Sequence, residues 1–274
     1  MKITPLLYPC FLAFLFISCK EKEIDSSSNY SFGSTPSWSE EFSYTGKPDA
    51  EKWSYELGGH GWGNNELQNY TDRLENARVE DGMLIITARK EASANRQYSS
   101  ARLVTKDKAD FTYGKVEVRA KLPSGRGTWP SIWALASQNT YGTEFWPDNG
   151  GIDLVAHAGF DQNRVYSNIH NKAFSQKGNS MVIKSASSDF HTYTCEWTPE
   201  RITLKVDGKT NFTYKREDKY TWREWPFDQP FHLILNVAIG GTWGGEKGVD
   251  DSIFPQKMVV DYVRIYELID NNPL

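Results

Sequence analysis

The chain has 274 residues, a formal net charge of −4 and three cysteines. That length supports one large domain with a full core, and the mild negative balance leaves no basic footprint, so no nucleic-acid partner is expected. Ten Trp and fourteen Tyr are plentiful for this length; they suit a packed core and also a surface on which flat apolar sugar faces stack.

Residues 1–18 read as a targeting segment: Lys2 supplies positive charge, and Leu6 to Ile17 is mostly apolar but short for a membrane span. The run ends at Phe16-Ile17-Ser18-Cys19, which resembles a bacterial lipoprotein cleavage site with Cys19 lipidated, although Phe16 stands where Leu is usual. A conventional signal peptide cleaved nearby is the alternative. Residues 19–37, with Lys20-Glu21-Lys22-Glu23 and Ser26-Ser27-Ser28-Asn29, read as a polar tether. A lipoprotein of the cell envelope or cell surface, held to the membrane by its anchor, is expected; a secreted or periplasmic protein is the other reading. Cys10 leaves with the targeting segment and Cys19 takes lipid, so Cys195 stands without a partner and no intramolecular disulfide is expected. Its setting, Tyr193-Thr194-Cys195-Glu196-Trp197, reads as a strand with a small buried Cys.

One domain is expected over 38–268, with a short tail over 269–274. Strand patterns dominate it. Asp81-Gly82 precedes the apolar run Leu84-Ile85-Ile86-Thr87-Ala88, and Lys115 to Lys121 alternates apolar and charged residues. Ile202 to Val206 alternates likewise and turns at Asp207-Gly208, a hairpin signal. Phe231 to Val237 and Met258 to Tyr266 are richer in apolar residues, as buried strands are. No long helical period is present. Many short strands separated by Gly, Pro and Asn turns predict an all-β sandwich.

The most telling stretch is Asn149-Gly150-Gly151-Ile152-Asp153-Leu154-Val155-Ala156-His157, preceded by Gly127-Thr128-Trp129-Pro130-Ser131-Ile132-Trp133 and Trp146-Pro147. Gly61-Trp62-Gly63-Asn64-Asn65-Glu66-Leu67-Gln68, Ser100-Ala101-Arg102-Leu103 and Asn236-Val237-Ala238-Ile239-Gly240-Gly241-Thr242-Trp243 follow the same family order. Together they resemble glycoside hydrolase family 16, in its laminarinase-like subgroup. The resemblance implies a jelly roll with a concave sugar cleft. It also implies that the position of Gly151 belongs to the nucleophile and that of Ala156 to the general acid/base, both Glu in the family, while Asp153 is the retained middle acid. A retaining glycosidase needs two carboxyl groups about 5–5.5 Å apart. Residues two apart on a strand share a face, so 151 and 153 agree; 156 agrees only if a β-bulge adds one residue, as the family motif does. The frame is kept and the acids are gone, since neither Gly nor Ala can attack or transfer a proton. Asp148, Glu144 and His157 are weak substitutes, placed in a loop or at the wrong parity.

Trp129 and Trp133 are four apart and share a strand face, which suits a sugar platform. The resemblance adds Asn64, Arg102, Trp146, His170, Asn236 and Trp243 to the cleft; Arg102 also reads as a structural ion pair. It further implies a structural calcium held by Glu41, the Gly82 carbonyl and Asp261, against which Asp261 capping a strand or pairing with Arg264 is the plainer reading. No cofactor is expected for catalysis, and the chain is expected to be a monomer. The sequence thus points to a protein that recognises β-1,3 or mixed-linked glucan without cleaving it. Two alternatives stand beside it: a retaining endo-β-1,3-glucanase that is inactivated or uses another carboxylate, and a structural envelope protein with a vestigial cleft.

Overall fold

Two Asp-Gly pairs make hairpins, one of them at the Asp207-Gly208 turn that the sequence signals. Asp81 and Gly82 have φ of 54° and 74°, and Asp207 and Gly208 have φ of 50° and 74°. Two successive left-handed residues give the turn whose twist matches the flanking strands. The first joins Ala77–Glu80 to Met83–Ser93, and the second joins Arg201–Val206 to Lys209–Lys215.

The computed structural model describes residues 29–272. The targeting segment and Cys19 lie outside that range. Among the described residues no helix is long and apolar enough to cross a membrane, and the secondary structure is almost wholly β. A seven-stranded sheet runs in the order Lys177–Val182, Arg164–His170, Gly151–His157, Thr128–Ala136, Phe231–Ile239, Arg102–Val104, Ser54–Tyr55 among these residues. Every neighbouring pair in it is antiparallel. A larger second sheet, centred on Gly114–Lys121 and Gln256–Tyr266, packs behind it. This is the β-sandwich that the strand pattern predicted, in the jelly-roll form that the family resemblance implies.

The core lies between the sheets. In Thr128–Ala136 burial alternates strictly. Ile132, Ala134 and Ala136 point into the core with at most 2% exposure, while Trp129, Ser131, Trp133 and Leu135 line a cleft on the outer face. All nine residues of Phe231–Ile239 are buried, His232 and Asn236 among them, as suits a mostly apolar strand inside the sheet. Cys195 is a free, buried thiol in this core, and burial pushes its pKa up.

The folded unit reaches past the expected limits of 38 and 268. Tyr30–Phe32 pairs antiparallel with Leu268–Asp270 in a two-stranded ribbon. The end of the expected tether and the start of the expected tail are therefore strand. Charge and Ser content hid this, because each segment finds its partner only across the whole length of the chain.

Candidate functional site

The strand Gly151–His157 lies third from one edge of the seven-stranded sheet, where it builds one wall of the cleft, and it carries a bulge. On one side Asp153 faces Asn168 and Ala156 faces Tyr166, three residues against two. On the other side Asp153 faces Trp133 and Ala156 faces Ser131, again with one residue in excess. The extra residue restores parity, so Asp153 and Ala156 both line the cleft. Gly151 is aimed the same way: a Cβ placed there would lie 2.9 Å from the Trp146 ring and 3.6 Å from the His170 ring. Trp146, 46% exposed, leans over this position, its ring centroid 5.0 Å from that of His170.

Asp153 is the only ionisable group that Gly151, Asp153 and Ala156 provide, and it is engaged. Its Oδ2 accepts hydrogen bonds from His170 Nε2 at 2.8 Å and from Asn168 Nδ2 at 3.1 Å. His170 Nδ1 in turn meets the Ser175 carbonyl at 3.1 Å. With an acceptor at each ring nitrogen, the imidazolium is the form that satisfies both contacts. Burial pulls the His170 pKa down, but the Asp153 charge and hydrogen bond outweigh it and leave it raised.

Across the cleft floor the sheet presents a bonded platform. Trp133 Nε1 donates to Asn236 Oδ1 at 3.0 Å, and Asn236 Nδ2 donates to the Tyr70 hydroxyl at 3.0 Å. The Arg102 guanidinium lies between two rings, 4.8 Å from the Trp62 centroid and 5.0 Å from that of Trp133, and it is ion-paired to Glu56. Both readings of Arg102 hold together: it lines the cleft and it is a structural ion pair. Trp129 meets Trp243 edge-on at 5.4 Å, and Trp243 meets Tyr166 edge-on at 5.1 Å. The turn that delivers Trp243 passes close under Trp129: Gly241, at φ +78°, would put a Cβ 3.0 Å from the Asn64 carbonyl and 3.2 Å from the Trp129 ring. The resulting cleft has a volume of about 650 Å³, in the range of small-ligand sites.

The structure brings Asn64, Arg102, Trp129, Trp133, Trp146, Asp153, Ala156, His170, Asn236 and Trp243 to one cleft. Sequence reasoning passed over Glu66, Trp62, Tyr166 and Asn168, which line it as well. Glu66 sat inside a quoted motif, next but one to Asn64, yet nothing local marks it as facing the same space. The weak substitutes stay out. His157 is fully buried and bonds the Gln162 carbonyl at 3.0 Å. Asp148 is buried, ion-paired to Lys172 at 2.9 Å and bonded to the Thr143 amide at 3.1 Å.

On the second sheet, Glu41 is held by Arg264 through two bonds of 2.8 Å, and Asp261 is held by Arg119. The expected Asp261–Arg264 pair is therefore not the one formed; Arg264 is taken by Glu41. With both carboxylates neutralised, these side chains do not fit a carboxylate-built calcium centre, and among the described residues no three His, Cys, Asp or Glu groups converge as for a metal.

Residues 64–264 match the glycosyl hydrolases family 16. The chain belongs to that family. It is 54% identical over 243 residues to a β-glucanase of Rhodothermus marinus, with 85% of each chain covered. The solved laminarinase of Rhodothermus marinus superposes with a TM-score of 0.85 at 52% identity, covering 88% of this chain and 99% of that one. A variant of LamA from Z. galactanivorans, solved with laminaritriose and laminaritetraose, gives a TM-score of 0.76 at 39% identity over 86% of this chain and 100% of that one. Family 16 membership accounts for the jelly roll.

Proposed function

We propose that this family 16 protein binds a laminarin-type β-1,3 or mixed-linked glucan in its cleft and holds it without cleaving it. One observation carries the reading: the bulged strand presents positions 151, 153 and 156 to the cleft, and only Asp153 bears a carboxyl. Gly151 and Ala156 stand where the resemblance puts the nucleophile and the acid/base, so neither half of a double displacement has a group to perform it. Binding asks for something else. Stacked rings and paired polar groups at Trp133, Trp129, Arg102 and Asn236 need no catalytic carboxylate. The test is a calorimetric titration with laminarihexaose beside a reducing-end assay on laminarin. Saturable binding without product is expected; turnover near about one per second, an ordinary enzymatic rate, would overturn it.

A second reading, a retaining endo-β-1,3-glucanase, draws on the 54% identity to the Rhodothermus marinus β-glucanase. It needs a second carboxylate. Glu66 is the other carboxyl lining the cleft, but the strands of Trp133 and Asn236 separate it from Asp153, three interstrand steps of about 4.8 Å each. That spacing disfavours the short separation a retaining pair needs. The proposal extends to a lipid anchor at Cys19, which would keep captured glucan at the cell envelope; Cys19→Ser should move the protein from the membrane to the soluble fraction. A structural calcium at Glu41, Gly82 and Asp261 is retained as a proposal that rests on main-chain oxygens, its side chains being paired elsewhere.

A further inference from the structure

The cleft holds a buried carboxyl that neither the glucan reading nor the retained acid uses. Glu66 is 5% exposed and lines the cleft beside Asn64 and Arg102. Its Oε2 accepts from Gln68 Nε2 at 2.6 Å and from the Tyr70 hydroxyl at 3.3 Å. Its Oε1 accepts from Asn64 Nδ2 alone among the described residues, at 3.3 Å. One oxygen is thus committed to the scaffold and the other has spare acceptor capacity. The committed side continues outward: Tyr70 accepts from Asn236, which accepts from the Trp133 indole. A carboxyl on an irregular segment is in this way wired to the ring that faces Asp153.

We propose that Glu66 reads a glucosyl unit of the bound chain, Oε1 accepting a sugar hydroxyl, while Oε2 holds the Trp133 ring in stacking position through Tyr70 and Asn236. The proposal rests on the glucan-binding reading. The ligand class is a neutral glucan with free hydroxyls at this subsite; a chain methylated there leaves a buried charged acceptor unpaired, which a site built for hydrogen bonding rejects strongly. Glu66 is here a binding and positioning residue, not a catalytic one. Burial raises its pKa, against the pull of the Gln68 and Asn64 bonds and the Arg102 charge. Hydroxyl donors favour the ionised form, so affinity is full above that raised pKa and falls as pH drops through it. The groups facing this titration are Arg102 and Tyr70 beside Glu66, Glu56 behind Arg102, and the Asp153–His170 pair across the cleft; burial keeps the Tyr70 hydroxyl neutral.

The experiment is calorimetric titration of laminarihexaose into the full chain and its Glu66→Gln variant across mildly acidic to neutral pH, with melting curves of both. At neutral pH the variant should bind at least about tenfold more weakly, the scale of one lost hydrogen bond to a charged group, and the gap should close on acidification. Because Asp153 and His170 are the same in both proteins, that closing gap belongs to Glu66. Equal affinities, or a pH-independent gap accompanied by a lower melting temperature, would reduce Glu66 to a scaffold residue. If the variant does not fold, proton release on binding by the wild type, measured in two buffers of different ionisation enthalpy, decides the matter: release supports the proposal and its absence overturns it. A wild type that binds no laminarihexaose rejects the glucan reading itself, whereas binding by both proteins alike rejects only the role of Glu66.

Discussion

The two walls of the cleft are built on opposite terms. On the side of Gly151, Asp153 and Ala156, one acid is held by His170 and Asn168, and Trp146 leans over the gap at Gly151. On the side of Arg102, Trp133, Asn236 and Glu66, the polar side chains are bonded to one another and to Gln68, Tyr70 and Glu56 behind them. Bond making and breaking in this family rests on two carboxyl groups, whereas holding a sugar rests on many rings and hydrogen bonds. On the proposed reading, substituting two residues would remove the first capacity and leave the second.

The largest effect should come from refilling the emptied wall. The double change Gly151→Glu with Ala156→Glu should raise reducing-end release from laminarin by roughly 10⁴ or more, since groups that act as a unit gain or lose rate together. Either single change should give far less. Gly151 does not occupy a left-handed conformation, so the backbone accepts a side chain; what must give is the far end of the Trp146 ring. A folded double variant that binds glucan and stays inert would show that the walls differ by more than two residues.

The next effect tests the other wall. Trp133→Ala removes a ring contacted by Arg102 and anchored by Asn236. Affinity for laminarihexaose should fall by about 2 kcal/mol, roughly thirtyfold, as for a central aromatic anchor. An unchanged Kd would move the platform elsewhere, with Trp129 and Trp243 the next rings to replace.

A smaller effect concerns stability. The folded-state pKa of His170 is raised, so its pairing with Asp153 stabilises fully below the unfolded value of about 6.5 and is lost as pH rises through the folded value. Thermal melts of wild type and His170→Gln should differ by about 1–2 kcal/mol in mildly acidic buffer, from a hydrogen bond to a charged group. The difference should shrink in alkaline buffer; a gap that widens there would contradict the imidazolium assignment. Smallest of all is calcium: if the main-chain oxygens near Glu41, Gly82 and Asp261 bind it, excess calcium over chelator should raise the melting temperature by about 2–4 °C, and identical melts would remove the site.

Much of this contrast was legible in the residues. The Asp-Gly hairpins follow from local backbone preference, and the shared face of Trp129 and Trp133 follows from strand periodicity. The bulge followed from the family spacing around Asp153. What stayed hidden was long-range. Glu66 reaches Trp133 through Tyr70 and Asn236, the latter 166 positions from Tyr70, and Glu56 meets Arg102 from 46 positions away. No local pattern encodes such pairings. For the same reason polarity near Tyr30 read as tether, when its strand partner stands at the other end of the chain.

That terminal ribbon governs how the molecule bears mechanical load. Tension on the N-terminus reaches the three registered pairs from Tyr30–Asp270 to Phe32–Leu268 first, then the Gly33–Glu267 and Ser37–Ile265 hydrogen bonds. These links lie in series along the pull, so they give way in succession, as the teeth of a zipper do. The strands carrying Trp133 and Asp153 are joined edge to edge in a different sheet. With the proposed anchor at Cys19, a tug from a moving surface would be spent on the seam before it distorted the cleft.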